Sequence, residues 1–177
     1  AALNGALYNI AIGVTSLNDL TTGDKNVSIG NNSLQKLTTG ESNTAIGYDA
    51  GGDGGSAALT GNDNTLVGDS SGLNLEGAGH SNTFIGSAAG AVTTTGVENT
   101  TLGFNTEIQD ATATNQVVIG NNLTGTKDNA VFIGNDSSHI ENDFNADATW
   151  NHSSDIRQKK EIQNETLGLD FINDIRP

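Results

Sequence analysis

Apolar and polar positions along the 177-residue chain follow one short word: Asn, any residue, a small or apolar residue, an aliphatic residue, then Gly. It reads Asn9-Ile10-Ala11-Ile12-Gly13 and returns at Asn26 to Gly30, Asn43 to Gly47, Asn64 to Gly68, Asn82 to Gly86 and Asn99 to Gly103. Two degenerate copies, Gln116 to Gly120 and Ala130 to Gly134, carry the Asn one place earlier, at Asn115 and Asn129. The closing glycines stand 17, 17, 21, 18, 17, 17 and 14 residues apart, with one insertion at the Gly-rich stretch from Gly51 to Gly55. A near-constant period over eight copies is the signature of a repeat architecture.

The position before the closing Gly is aliphatic in every copy: Ile12, Ile29, Ile46, Val67, Ile85, Leu102, Ile119 and Ile133. Two places earlier stands a β-branched residue: Ile10, Val27, Thr44, Thr65, Thr83, Thr100, Val117 or Val131. A period of two puts both positions on one face of an extended chain, so each word predicts a strand of about five residues. Connections of roughly a dozen residues exclude tight hairpins between consecutive words. Stacking the words in parallel, one per coil, makes the aliphatic residues a continuous interior column and aligns the Asn side chains as a hydrogen-bonded ladder.

The expected fold class is therefore all-β, a β-solenoid or β-roll of eight short repeats. Its structural residues are typified by Asn26, Ile29 and Gly30, by Asn43, Ile46 and Gly47, and by Asn82, Ile85 and Gly86. A second Gly, three residues before the Asn in five copies (Gly23, Gly40, Gly61, Gly79 and Gly96), opens the coil. One such coil encloses little apolar volume and leaves an apolar stripe on a monomer. Three copies around a common axis bury that stripe, so the expected state is a homotrimer. The pattern leaves open the handedness, and whether each coil closes within one chain or across three.

Composition then narrows the function. Gly, Asn and Thr suit turns and short strands better than long helices, and there is no Cys, which excludes disulfides and cysteine-ligated metals. With 7 Lys plus Arg against 21 Asp plus Glu, the net charge of -14 opposes a grip on nucleic-acid phosphates, and no apolar run is long enough to span a bilayer. Neither nucleic acid nor membrane insertion is expected. His80, His139 and His152 lack ligand spacing, and the Asp in Gly51-Gly52-Asp53-Gly54-Gly55 has no repeated partner. No metal and no cofactor are expected, and the Gly-rich stretch reads as a flexible excursion. The Asn-x-Ser/Thr triplets carry no argument for glycosylation without a secretory signal. Ala1 opens without an initiator Met or signal pattern, which reads as an internal piece of a longer protein.

Asn-Thr-Ala-Ile-Gly at 43 to 47 and Asn-Thr-Phe-Ile-Gly at 82 to 86 resemble the head repeats of trimeric autotransporter adhesins, and equally the repeats in bacteriophage tail-fibre shafts. Both resemblances cover roughly residues 5–138 and imply elongated trimeric surface fibres.

After about residue 138 the composition shifts, and only Gly168 lies beyond Gly134. Residues 139–153 read as a junction in which Phe144 and Trp150 plug the solenoid end. Leu167, Leu169, Phe171, Ile172 and Ile175 have helix-like spacing, with Asn164 or Thr166 as cap and Pro177 arresting it.

Ser154-Asp155-Ile156-Arg157-Gln158-Lys159-Lys160-Glu161-Ile162, with the later run from Leu167 to Pro177, resembles the opening of the intramolecular chaperone of phage tail fibres and tailspikes, peptidase family S74. That resemblance makes residues 154–177 the truncated start of a domain that assembles the fibre as a trimer and then cuts itself off. It implies a scissile Ser154-Asp155 bond and a dyad of Ser154 and Lys159, the Lys losing its proton beside Lys160 and Arg157. Gln158 and Glu161 depart from the family pattern and leave the dyad intact. A cut after Ser154 sets a geometric problem, because its hydroxyl would close a four-membered ring on its own carbonyl. A neighbouring subunit's Ser154 or another group is the alternative attacker.

The expected function is a structural and adhesive segment of a phage tail fibre or spike. Upstream tail proteins and a host receptor or glycan are its expected partners, with contacts around Tyr48, Asp49 or Phe104. Its place would be the virion, outside the cell, after synthesis in the bacterial cytoplasm. The alternatives are the head of a bacterial trimeric adhesin and the non-catalytic part of a glycan-degrading tailspike. No carboxylate pair suited to glycoside hydrolysis stands out.

Overall fold

The computed structural model describes residues 5–52 and 54–145. Those residues form one nine-stranded sheet in chain order and no helix. Its strands are β1 (Ile10–Ile12), β2 (Val27–Ile29), β3 (Thr44–Ile46), β4 (Thr65–Val67), β5 (Thr83–Ile85), β6 (Thr100–Leu102), β7 (Gln116–Asn121), β8 (Ala130–Asn135) and β9 (Ser138–Asp143). The first eight pair in parallel and in register, word on word: Ile29 lies beside Ile46, Leu66 beside Phe84, and Val118 beside Phe132. The chain is a parallel β-solenoid of about seven turns. Strands β1 to β6 span three residues rather than about five, because the flanking Asn and Gly belong to the turns.

The interior column is not the one that the aliphatic periodicity points to. From β2 to β6 the middle residue of each strand faces inward and is fully buried: Ser28, Ala45, Leu66, Phe84 and Thr101, followed by Val118 and Phe132. Ile46 and Ile85 are exposed and Ile29 is half-buried, so all three stand on the outer face. The physical reason is what else fills the coil. Leu17, Leu20, Leu34, Leu37, Leu59 and Leu75, all in the connections, pack against Ala45, Leu66 and Phe84. They occupy the space that the aliphatic column would need.

Two ladders hold the coils at fixed spacing. In the first, each Asn side chain bridges to the next coil. Asn43 Oδ1 accepts from the backbone N–H of Asn64 at 3.0 Å and from its Nδ2 at 2.9 Å, while Asn43 Nδ2 donates to the carbonyl of Gly61 at 3.0 Å. The same arrangement runs through Asn9, Asn26, Asn64, Asn82 and Asn99, and from Asn26 to Asn99 these side chains are fully buried. In the first degenerate copy Gln116 takes the rung, its N–H donating to Asn99 Oδ1 at 3.0 Å. The displaced Asn115 sits one place outside, at φ 52°, with Nδ2 on Asn129 Oδ1. That left-handed position precedes every ladder residue from Asn26 on, and Asn adopts it readily.

The second ladder is the column of closing glycines. Gly68 has φ +135°, and a Cβ there would stand 2.4 Å from the carbonyl oxygen of Gly86 in the next coil. The glycine-rich insertion is tied down at the residues described: Gly51 N–H donates to Ser71 O at 2.8 Å and Gly54 N–H to Leu73 O at 3.1 Å.

The last strand reverses the pattern. β9 runs antiparallel to β8, and the turn between them is closed by Ser137 and Ser138 N–H groups donating to Asn135 Oδ1. Lys127 faces Glu141 and Asp143 at 3.7 and 3.5 Å, so the final edge carries charge, which discourages further strand addition. Residues 139–143 of the expected junction thus belong to the sheet, and Phe144 is exposed rather than seated over the interior.

Candidate interaction surface

The outward strand face forms two side-by-side columns. One runs through Val27, Thr44, Thr65, Thr83, Thr100 and Val117, the other through Ile29, Ile46, Val67, Ile85, Leu102 and Ile119, with Ile10 and Ile12 at one end and Val131 and Ile133 at the other. None of these sixteen positions is charged, in a chain of net charge -14. Ile12 is 58% exposed, Ile46 41% and Leu102 45%. Seven strand spacings of about 4.8 Å make the stripe roughly 34 Å long. A contiguous uncharged face of that length exceeds what scattered surface aliphatics give, which makes it the candidate contact surface.

Flanking the stripe, two residues beyond Ile46 and Leu102, stand exposed Tyr48 and Phe104. The neighbouring Asp49 accepts a hydrogen bond from Asn32 Nδ2 at 2.8 Å. Asn26, Asn43 and Asn82 come together in the buried ladder, and Gly30, Gly47 and Gly86 in the glycine column. Ser154, Asp155 and Lys159, with Trp150 and the expected helical segment, lie outside the described residues. Among the described residues no group of three His, Asp or Glu is placed to hold a metal ion. His80 Nδ1 lies 3.1 Å from Ser81 Oγ, and the His139 ring sits 6.0 Å from that of Phe132.

One carboxyl group departs from its ordinary behaviour. Glu107 reaches back to the preceding coil, where Oε2 accepts from Val92 N–H at 3.2 Å. Burial pushes its pKa up from 4.5 to about 7, against the lowering effect of the Val92 and Ala91 backbone hydrogen bonds. Because the folded pKa is the higher one, the fold binds this proton more tightly than the unfolded chain. Glu107 therefore favours folding most at low pH, and that contribution is lost as pH rises through the window from 4.5 to 7. Glu107→Gln keeps an acceptor without the charge. Its melting temperature should exceed the wild type's at pH 8 and converge with it near pH 4.5. A constant gap across that range in thermal melts would show that Glu107 does not titrate there.

Comparison with known proteins adds no family to this geometry: no family model, no curated protein and no solved structure matches the chain.

Proposed function

We propose that this chain is a segment of an elongated homotrimeric fibre whose protomers meet along the uncharged outer stripe. The single observation that carries the reading is the 16-position face without a charge, set in a chain of net charge -14. An in-register stack presents that face along its own length. Three copies bring their stripes together along one line, closing the assembly while the acidic residues stay in solvent. A face confined to one edge of the coil leaves the connections free, and these, including Tyr48, Asp49 and Phe104, are where a host receptor or glycan would bind.

Among fibres of this kind, the resemblance of residues 154–177 to the self-cleaving chaperone favours a phage tail fibre or spike over a bacterial adhesin head. The segment then serves host attachment in the virion, and Ser154 with Lys159 carries out a single cut that releases the chaperone. The test is expression of the segment with its natural C-terminal continuation. The reading expects a trimer that sheds its tail in the wild type but retains it in Ser154→Ala and Lys159→Ala, by intact and native mass. An uncut trimer in all three would leave the fibre and remove the phage-chaperone assignment, and a monomer would remove both.

A further inference from the structure

The interior is not uniformly apolar along its length. One core cluster runs from Leu17 to Phe84 and Ala89, and a second holds Val118, Leu123, Ala130 and Phe132. Between them lies the coil closed by Gly103, where two interior positions change character together. Thr101 follows Leu66 and Phe84 in the inward strand column. Thr93 takes the turn position of Leu20, Leu37 and Leu75: its N–H donates to Gly90 O at 3.1 Å, as theirs do to Leu17, Leu34 and Gly72 O. Leu66 and Phe84, like Leu20, Leu37 and Leu75, belong to the first cluster, and Thr93 and Thr101 continue these two positions within one coil. Both side chains are smaller than the Phe and Leu they succeed, and both are fully buried.

Thr93 Oγ1 and Thr101 Oγ1 are the two buried side-chain polar atoms among the described residues with no protein hydrogen-bond partner. Unsatisfied hydroxyls in a dry interior are costly. Reduced side-chain volume and two orphan polar atoms in one coil are the conditions under which an internal water is retained. We propose that this coil holds a hydration site, in which one ordered water molecule is held between the Thr93 and Thr101 hydroxyls and joins the two apolar cores. The site is independent of how many copies associate.

A crystal structure at a resolution that shows ordered water tests this directly, taken together with thermal melts of three variants. Density between the two hydroxyls is expected in the wild type and in Thr101→Ser, which keeps the oxygen, and is expected to vanish in Thr101→Val. Removing a water ligand should lower the melting temperature of Thr101→Val and Thr93→Val by about 2–4 °C. A dry site in the wild type, or hydroxyls rotated onto protein partners, would overturn the proposal. So would Val variants that melt at or above the wild-type temperature, because replacing an orphaned hydroxyl with a methyl group of the same shape is neutral or stabilising.

Discussion

Gly68→Ala is expected to remove about 4 kcal/mol of folding stability, a large part of the roughly 5–15 kcal/mol typical of a domain. Two costs combine at this position. The backbone holds φ +135°, a region that L side chains rarely adopt, and the new Cβ would meet the Gly86 carbonyl oxygen at 2.4 Å. Neither can relax locally, because Gly47, Gly68, Gly86 and Gly103 form one stack in which each glycine faces the carbonyl of the next. Shifting one coil outward would break the strand pairing above and below it. Gly77 provides the contrast: its φ is +55°, and the nearest atom to an added Cβ is a flexible Thr95 methyl at 3.3 Å. Gly77→Ala should cost only about 1 kcal/mol. Urea denaturation of both variants makes the comparison, and equal losses would contradict the close-stacking explanation.

The second large effect is expected at Asn64. Its Oδ1 accepts from Asn82 N–H at 3.1 Å, its Nδ2 donates to Gly79 O at 3.0 Å, and both lie in the buried ladder. Asn64→Ala leaves that N–H and that carbonyl without partners, at a cost of about 3 kcal/mol in urea denaturation. Exposed Asn18, whose side chain donates to Asp19 at 2.8 Å, should change stability by no more than about 0.5 kcal/mol on substitution with Ala. Asn64→Asp adds a pH dependence. Buried beside a carbonyl, the carboxyl would titrate above its ordinary range, so this variant should be most stable in acid and weaken as pH rises. Comparable losses at Asn18 and Asn64 would show that the ladder adds little.

These two columns were legible in the sequence because a single residue type meets each requirement. Only Gly tolerates the close approach at Gly30, Gly47 and Gly68, and a side chain with a donor and an acceptor at the right length must recur at Asn26, Asn43 and Asn64. Which strand face turns inward was not legible. A period of two is the same for both faces. The regular aliphatics at Ile29, Ile46 and Ile85 suggest a core, while the true inward column varies from Ser28 to Phe84 because each coil trades its strand residue against the connection residues beside it. The overlooked signal is in the turns, where Leu17 and Leu34, then Leu20 and Leu37, stand at fixed distances after Gly13 and Gly30.

The same inversion changes what the aliphatic column means. Placed inside, Ile46 and Leu102 would explain only how one chain folds. On the outer face they are surplus to the fold, since Leu34, Leu37, Leu66 and Phe84 already fill the interior. In the proposed trimer, their regularity serves the contacts between chains. The stripe also avoids charge where the chain-wide excess of acidic residues would make copies repel one another.

Native mass of the purified chain, unsubstituted and with Ile46→Asp and Leu102→Asp together, tests that conclusion most directly. The account predicts a species of about three times the 18.1 kDa chain mass for the wild type. It predicts the single-chain mass for the double variant, with an unchanged far-ultraviolet spectrum. A wild type that runs as a stable single chain, or a double variant that still assembles as three, would contradict it.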